Sequence, residues 1–325
     1  MPEYIPLILT VFIISLLGTV LIENKLIPYL SKRAKQPIYE GGPNWHIKKS
    51  GTPTMGGLAF LVAISIALLL GGLILISTEI SYEGASLLSV LAFAVLNSLV
   101  GIVDDLTKLR RRENAGLSPL QKLLFQFLFA ALFLFLREYL FLDGTDISLG
   151  NFSLELGFVY YPVFAVMIVG IVNFANLTDG VDGLASSVAV GIGTALLFIS
   201  SSVDTALVSV ALIGGGVAFL LFNIHPAKIF MGDTGSLFLG SLIVYGAFTL
   251  DTPIIIVIIS AFYVIEGLSV IMQVIFYKIT KKRLFKMSPL HHHLEKCGWS
   301  ETKICLFALI LTLVSSTVAY GITLM

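Results

Sequence analysis

The chain has 325 residues, 57% of them hydrophobic and only 12% charged, with Lys+Arg and Asp+Glu balanced at 20 each. This composition excludes a disordered chain and a nucleic-acid binder led by a basic surface, so no nucleic acid is expected as a partner. It argues equally against a water-soluble domain, because so few charges cannot coat a body of this size. What remains is a polytopic membrane protein whose first partner is the lipid bilayer. With only Cys297 and Cys305 present, a disulfide scaffold is excluded as well.

A helix needs roughly 20 apolar residues to cross a bilayer core. The apolar runs predict ten transmembrane helices, at 5–27, 55–77, 85–103, 120–142, 160–176, 184–202, 205–222, 236–250, 254–277 and 303–324. The first reads as a span and not a cleavable signal, because no basic stretch precedes Ile5. With no water to satisfy the backbone, each run is expected to be a helix. The runs are apolar on all sides, unlike the alternating segments of a β-barrel. The fold class is thus all-α, one integral membrane domain over 1–325, with one exception. Residues 146–156 alternate around Gly150-Asn151, which predicts a short extracytoplasmic β-hairpin with Ile147, Leu149, Phe152 and Leu154 on one face.

Charge placement supports the count. With both termini outside, the inner loops are 28–54, 104–119, 177–183, 223–235 and 278–302. Nineteen of the twenty Lys+Arg then lie in or beside inner segments, taking Lys25, Lys122 and Lys303 as helix-end residues, and only Arg137 lies outward. The outer loops carry Glu79, Glu83, Asp143, Asp146, Glu155, Asp204 and Asp251. This is the positive-inside pattern, which sets the inner loops in the cytoplasm.

The inner loops also hold the residues suited to chemistry. Asp104 and Asp105 end the third predicted span, where the helix dipole repels anions, so a bound cation or a basic partner is needed. Lys108, Arg110, Arg111 and Arg112 can supply the partner, or can equally bind lipid phosphates. Asp179 and Asp182 are three residues apart and share a helical face. Capping of the sixth span explains one acid, but not Asn176, Thr178, Asp179, Gly180 and Gly183 together, which suit a loop for a polar ligand. Asp233-Thr-Gly-Ser236 opens the eighth span, where free N–H groups suit a phosphate. Phe230 beside it is a lipid anchor or a stacking surface. The run His291–His293 lacks zinc-ligand spacing and suits contact with phosphates. Five carboxylates at one face need a cation, and hard oxygen ligands select Mg²⁺ or Mn²⁺. Glu266 lies deep in the ninth span and is expected to face the protein interior, or a kink that opens a lipid groove.

The pieces Asp104-Asp105, Asn176-Leu-Thr-Asp179-Gly-Val-Asp182-Gly183 and Met231-Gly-Asp233-Thr-Gly-Ser236 resemble the polyprenyl-phosphate N-acetylhexosamine-1-phosphate transferases along the whole chain. Lys49-Ser-Gly-Thr52-Pro-Thr54-Met-Gly-Gly57 and Ser288-Pro-Leu-His291-His292-His-Leu-Glu295 look like the subgroup that serves bacterial peptidoglycan synthesis. The resemblance implies a multi-pass protein of the bacterial cytoplasmic membrane. It takes UDP-N-acetylmuramoyl-pentapeptide and undecaprenyl phosphate, releases UMP, and works as a homodimer with Mg²⁺. By the same resemblance Asp233 binds the metal, and Asp104 is a candidate base toward the lipid phosphate with Asp105 close by. Lys49, Lys108 and His291 join the catalytic set. Lys49, Thr54, Asn176, Asp179, Gly180, Val181, Asp182, Asn223, Phe230, Gln273, Ser288, His291 and His292 are expected around the nucleoside and phosphates, with Phe230 stacking on uracil. Direct displacement and a phospho-aspartate route use the same carboxylates. The rival readings are a related polyprenyl-phosphate GlcNAc-1-phosphate transferase, an ion-coupled transporter with acids at mid-bilayer, and an intramembrane aspartyl protease that uses no metal.

Overall fold

The computed structural model describes residues 2–34, 49, 51–111, 113, 115–141, 144–149, 152–199, 202–248 and 255–323. In chain order the helices are α1 (Ile5–Leu30), α2 (Gly57–Ile76), α3 (Ser81–Arg111), α4 (Pro119–Phe141), α5 (Tyr160–Thr178), α6 (Leu184–Ile199), α7 (Val203–Asn223), α8 (Gly232–Phe248), α9 (Ile255–Ile259), α10 (Ala261–Thr280), α11 (Leu290–Lys296) and α12 (Glu301–Thr323). Between α4 and α5 lie strands β1 (Asp146–Leu149) and β2 (Phe152–Glu155). They pair antiparallel with Ile147 opposite Leu154, the register that the alternation predicts. The predicted turn at Gly150-Asn151 falls outside the described residues.

Each predicted span contains a helix, but only eight helices among the described residues are long and apolar enough to cross a membrane. α6 and α8 have 16 and 17 residues, so they rise about 24–26 Å against a core of about 30 Å. Both are buried along most of their length. A helix wrapped in protein need not match the lipid thickness, which makes short helices tolerable there. The predicted run 254–277 is likewise not one helix: it breaks at Ser260, between α9 and α10.

The outer helices carry apolar stripes with no protein partner. Leu9, Ile13, Leu17 and Leu21 on α1 are exposed, as are Leu306, Ile310, Val314 and Val318 on α12. Stripes that long would aggregate in water and are stable against lipid chains. Inside, α3 packs on α8, and α1 on α7 and α2.

Arg137, the cation that departs from the charge bias, is buried and hydrogen-bonded inside the protein. Its guanidinium donates to Ser86 Oγ at 2.7 Å and to the Phe248 carbonyl at 3.2 Å. Ser86 Oγ meets Tyr245 OH at 2.5 Å, and Tyr245 OH donates to Asp204. α3, α4, α7 and α8 are thereby tied at the end of the bundle near the hairpin.

Candidate active site

The acids at the end of the third predicted span are not at a helix end. α3 runs on to Arg111, with Lys108, Arg110 and Arg111 in its last turn, where cations suit the dipole. Asp104 and Asp105 are fully covered and lie against the start of α8.

Asp105 accepts from both the N–H and the hydroxyl of Thr234, at 2.9 and 2.7 Å on Oδ2, and from the Asp233 N–H at 3.2 Å on Oδ1. It satisfies amides at the start of α8 that no residue of α8 itself can satisfy. Gly232 before them has φ +74°, and a Cβ there would stand 2.6 Å from Asp105 Oδ2. Only glycine turns the chain this way and leaves room for the carboxylate.

Asp104 pairs with two lysines from different helices. Lys108 Nζ lies 2.6 Å from its Oδ2, and Lys122 Nζ lies 2.9 Å from its Oδ1. The same ammonium groups reach Asp233, at 3.1 and 2.5 Å. Burial alone would raise the Asp233 pKa; the charges of Lys108 and Lys122 overcome it and hold the carboxyl well below the usual range. Asp104, Asp105 and Asp233 can each turn an oxygen to within 4.8 Å of the others. Two ammonium groups against three carboxylates leave a negative excess, and the donors are all hard oxygens. That set fits a Mg²⁺ or Mn²⁺ ion.

Asp179 lies just past α5, its amide turned back to the Asn176 carbonyl. Its surface is only partly covered, yet it sits among dense protein. That burial, then the charges of Asp233, Asp105 and Asp182, push its carboxyl well above the usual range. Asn176 donates to Ser236 Oγ at 2.8 Å, binding α5 to α8. Thr54 is buried, with its hydroxyl beside Gly232 and hence beside Asp105. Phe230 is half-buried, and its backbone pairs with Pro53 and Gly56 at 2.8 and 2.9 Å.

A second cluster forms around Asp182. Lys49 Nζ bridges Asp182 and Glu301 at 2.6 and 2.7 Å. Burial works against the Lys49 ammonium, but bonds and charges from these two acids raise its pKa above the ordinary value. His225 Nδ1 stands 3.0 Å from the other Asp182 oxygen, which also accepts from the Ala227 N–H at 3.1 Å. Asn223 is a buried brace: it accepts from the Gly183 N–H and donates to the Ile229 carbonyl. The Val181 side chain lies in the apolar core, so only its backbone faces the loop.

Gln273 lies on α10. Its amide oxygen accepts from the Leu284 and Phe285 N–H groups at 3.1 and 2.8 Å. His292 pairs with Glu295 at 2.7 Å, and Ser288 precedes α11. His291 is buried against Glu266, which faces the protein interior as expected.

Four participants escaped the sequence reading. Thr234, Glu301 and His225 left no local signal, because their partners are distant in the chain. Lys122 did leave one. It sits in the first turn of α4, where the dipole disfavours a cation, so it needs a carboxylate from elsewhere.

The profile of Glycosyl transferase family 4 matches residues 87–251. The phospho-N-acetylmuramoyl-pentapeptide-transferase signature 1 matches residues 49–61. A phospho-N-acetylmuramoyl-pentapeptide-transferase of Bacillus velezensis is 43% identical over 302 residues, covering 91% of this chain and 92% of the relative. A protein of the same description from Clostridium botulinum strain Eklund 17B is 40% identical over 323 residues, covering 97% and 96%. One from Bacillus subtilis strain 168 is 43% identical over 304 residues, covering 91% and 92%.

Proposed function

Since this chain belongs to the phospho-N-acetylmuramoyl-pentapeptide-transferase family, we propose that it transfers phospho-N-acetylmuramoyl-pentapeptide from the UDP-linked donor to undecaprenyl phosphate. UMP leaves, and the product is lipid I of peptidoglycan synthesis. The observation that carries this reading is the convergence of Asp104, Asp105 and Asp233 with Lys108 and Lys122. Carboxylates and mobile cations in one place are what phosphoryl transfer requires of a protein.

Asp104, Asp105 and Asp233 would hold the Mg²⁺ or Mn²⁺ ion, which supplies positive charge to the phosphates when bound. Lys108 and Lys122 are partly exposed, so they can turn from the carboxylates to phosphate oxygens as substrates enter. Asp105 has both oxygens held by the start of α8, whereas Asp104 accepts one fixed N–H, that of Leu117 at 2.7 Å on Oδ1, and its Oδ2 faces the Lys108 ammonium, which can leave it. Asp104 is therefore the better base toward the acceptor phosphate. Phosphate chemistry runs as displacement at the donor's β-phosphorus, with UMP as the leaving group. Lys49, Asp182 and the segment holding Phe230 face the nucleoside, with Phe230 stacking on uracil.

The chain is proposed to cross the bacterial cytoplasmic membrane ten times as one domain over 1–325, both termini outside. α6 and α8 supplement the eight long helices, and α9 extends the span of α10. The homodimer rests on the family likeness alone. The acids lie with lysines in the last turns of α3, at the start of α8 and in the loop after α5, which disfavours the transporter and protease readings. The purified protein in detergent, given the UDP-linked donor, undecaprenyl phosphate and Mg²⁺, should release UMP and stop on addition of EDTA. UMP released only from UDP-N-acetylglucosamine would move the assignment to the GlcNAc-1-phosphate branch.

A further inference from the structure

We propose that Glu266 is a positioning residue for His291: it fixes the imidazole so that Nε2 faces Gly180 and is offered to a phosphate oxygen of the nucleotide donor. The inference rests on the transferase reading above and adds a residue to that site.

Glu266 on α10 and His291 on α11 are both 0% exposed. The carboxylate accepts the His291 backbone N–H, at 3.0 Å on Oε1 and 3.3 Å on Oε2, and Oε2 stands 3.2 Å from Nδ1. A carboxylate can only accept, so Nδ1 carries the proton; the backbone bonds hold the His291 main chain and the Nδ1 bond orients the ring. Nε2 is left without a hydrogen-bond partner although it is buried. An unpaired buried polar atom costs about 1–3 kcal/mol, and a pair built only to brace α11 gains nothing by it.

The direction of Nε2 supplies the reason. A Cβ at Gly180 would fall 2.3 Å from it, so the ring rests on bare backbone in the stretch between Asp179 and Asp182. A larger residue would push the ring away. Glycine lets the ring approach and lets the segment move aside when a ligand enters. A phosphate oxygen opposite Nε2 then places the ring between two anions, with a proton on each nitrogen and both hydrogen bonds charge-assisted. The price of an acid deep in an apolar helix is explained by a site that needs a rigid imidazole.

The test is a double-mutant cycle on UMP release, with Glu266→Gln, Glu266→Leu, His291→Ala and the Glu266→Gln/His291→Ala pair. Glu266→Gln keeps an acceptor and the side-chain volume. We expect it to lower kcat about tenfold or more while KM for the UDP-linked donor moves less than about threefold. In the His291→Ala background the same change should have less than about a twofold effect. The ¹⁵N shifts of His291 in ¹⁵N-histidine protein should show a protonated Nδ1 in the wild type, and a changed tautomer balance in Glu266→Gln. Independent effects that multiply, or a wild-type ring with bare Nδ1, would overturn the inference. Should Glu266→Leu fail to fold, the Gln variant and the ¹⁵N shifts decide. A wild type that releases no UMP but shows the expected shifts would count against the transferase reading and leave the Glu266–His291 geometry standing.

Discussion

Asp105 closes the start of the helix that carries Asp233: its carboxylate accepts the Thr234 N–H at 2.9 Å, the Thr234 hydroxyl at 2.7 Å and the Asp233 N–H at 3.2 Å. One acid of the cluster thus sets the position of another. Neutralising it removes both charge and a helix cap. Asp105→Ala should therefore lose activity and about 1–2 kcal/mol of stability, read as a lower melting temperature in detergent. Asp105→Asn, which keeps one acceptor, should melt between the two.

Lys122 serves Asp104 and Asp233 together. Lys122→Met should lower kcat by about 10²-fold or more, since it removes charge aimed at the reacting phosphates. Lys122→Arg should recover only part, because a planar fork does not replace a point charge between two carboxylates. Steady-state UMP release measures both.

Asp179 gives a pH signature. Its carboxyl is raised in the folded protein by burial and by Asp233, Asp105 and Asp182. Between the ordinary carboxyl pKa of about 4 and the raised value, the folded state holds a proton that the unfolded chain has lost. Stability therefore falls as pH rises through that window. Asp179→Asn should remove this slope. In EDTA it should melt higher than the wild type near about pH 7, and equal to it near about pH 4.

How much was legible follows from what kind of interaction each feature needs. Apolar runs mark helices because lipid acts on each run locally, and Ile147 opposite Leu154 follows from a period of two. The extension of α3 to Arg111 was missed because a window of apolar residues stops at the first acids, although Lys108, Arg110 and Arg111 suit a last turn. The break at Ser260 lies inside an unbroken apolar run, and hydropathy carries no trace of it. Asp104, Asp105, Asp179, Asp182 and Asp233 stood out as carboxylates in inner loops. Which acid takes which lysine, and that Glu266 belongs with His291, are contacts between helices and were not readable from neighbours in the chain.

The network of Arg137, Ser86, Tyr245 and Asp204 ties helices far from the acids. Asp204→Ala leaves the buried Tyr245 hydroxyl without its acceptor and should cost about 1–3 kcal/mol. The melting temperature should fall, while kcat of the protein that remains folded stays the same.

Topology can be read with an impermeant thiol reagent on intact cells. Glu79→Cys and Asp146→Cys should label, because both residues are exposed and lie in predicted outer loops. Lys281→Cys should stay unlabelled, as should the native Cys297, which is exposed on the opposite side of the proposed membrane. Glu83 is unsuited to the purpose, since its carboxylate accepts from Val203 and Asp204 at the start of α7. Labelling of the inner pair from outside would separate the site from cytoplasmic nucleotide.

The most direct measurement is turnover of Asp104→Asn and Asp233→Asn across a Mg²⁺ titration, with both substrates saturating and donor binding followed in parallel. The wild type should form UMP and lipid product in equal amounts. Both variants should bind the nucleotide donor yet lose at least about 10³-fold in kcat, and no Mg²⁺ concentration should restore Asp233→Asn. Turnover near the wild-type rate in either variant would contradict the assignment of these carboxylates to phosphoryl transfer.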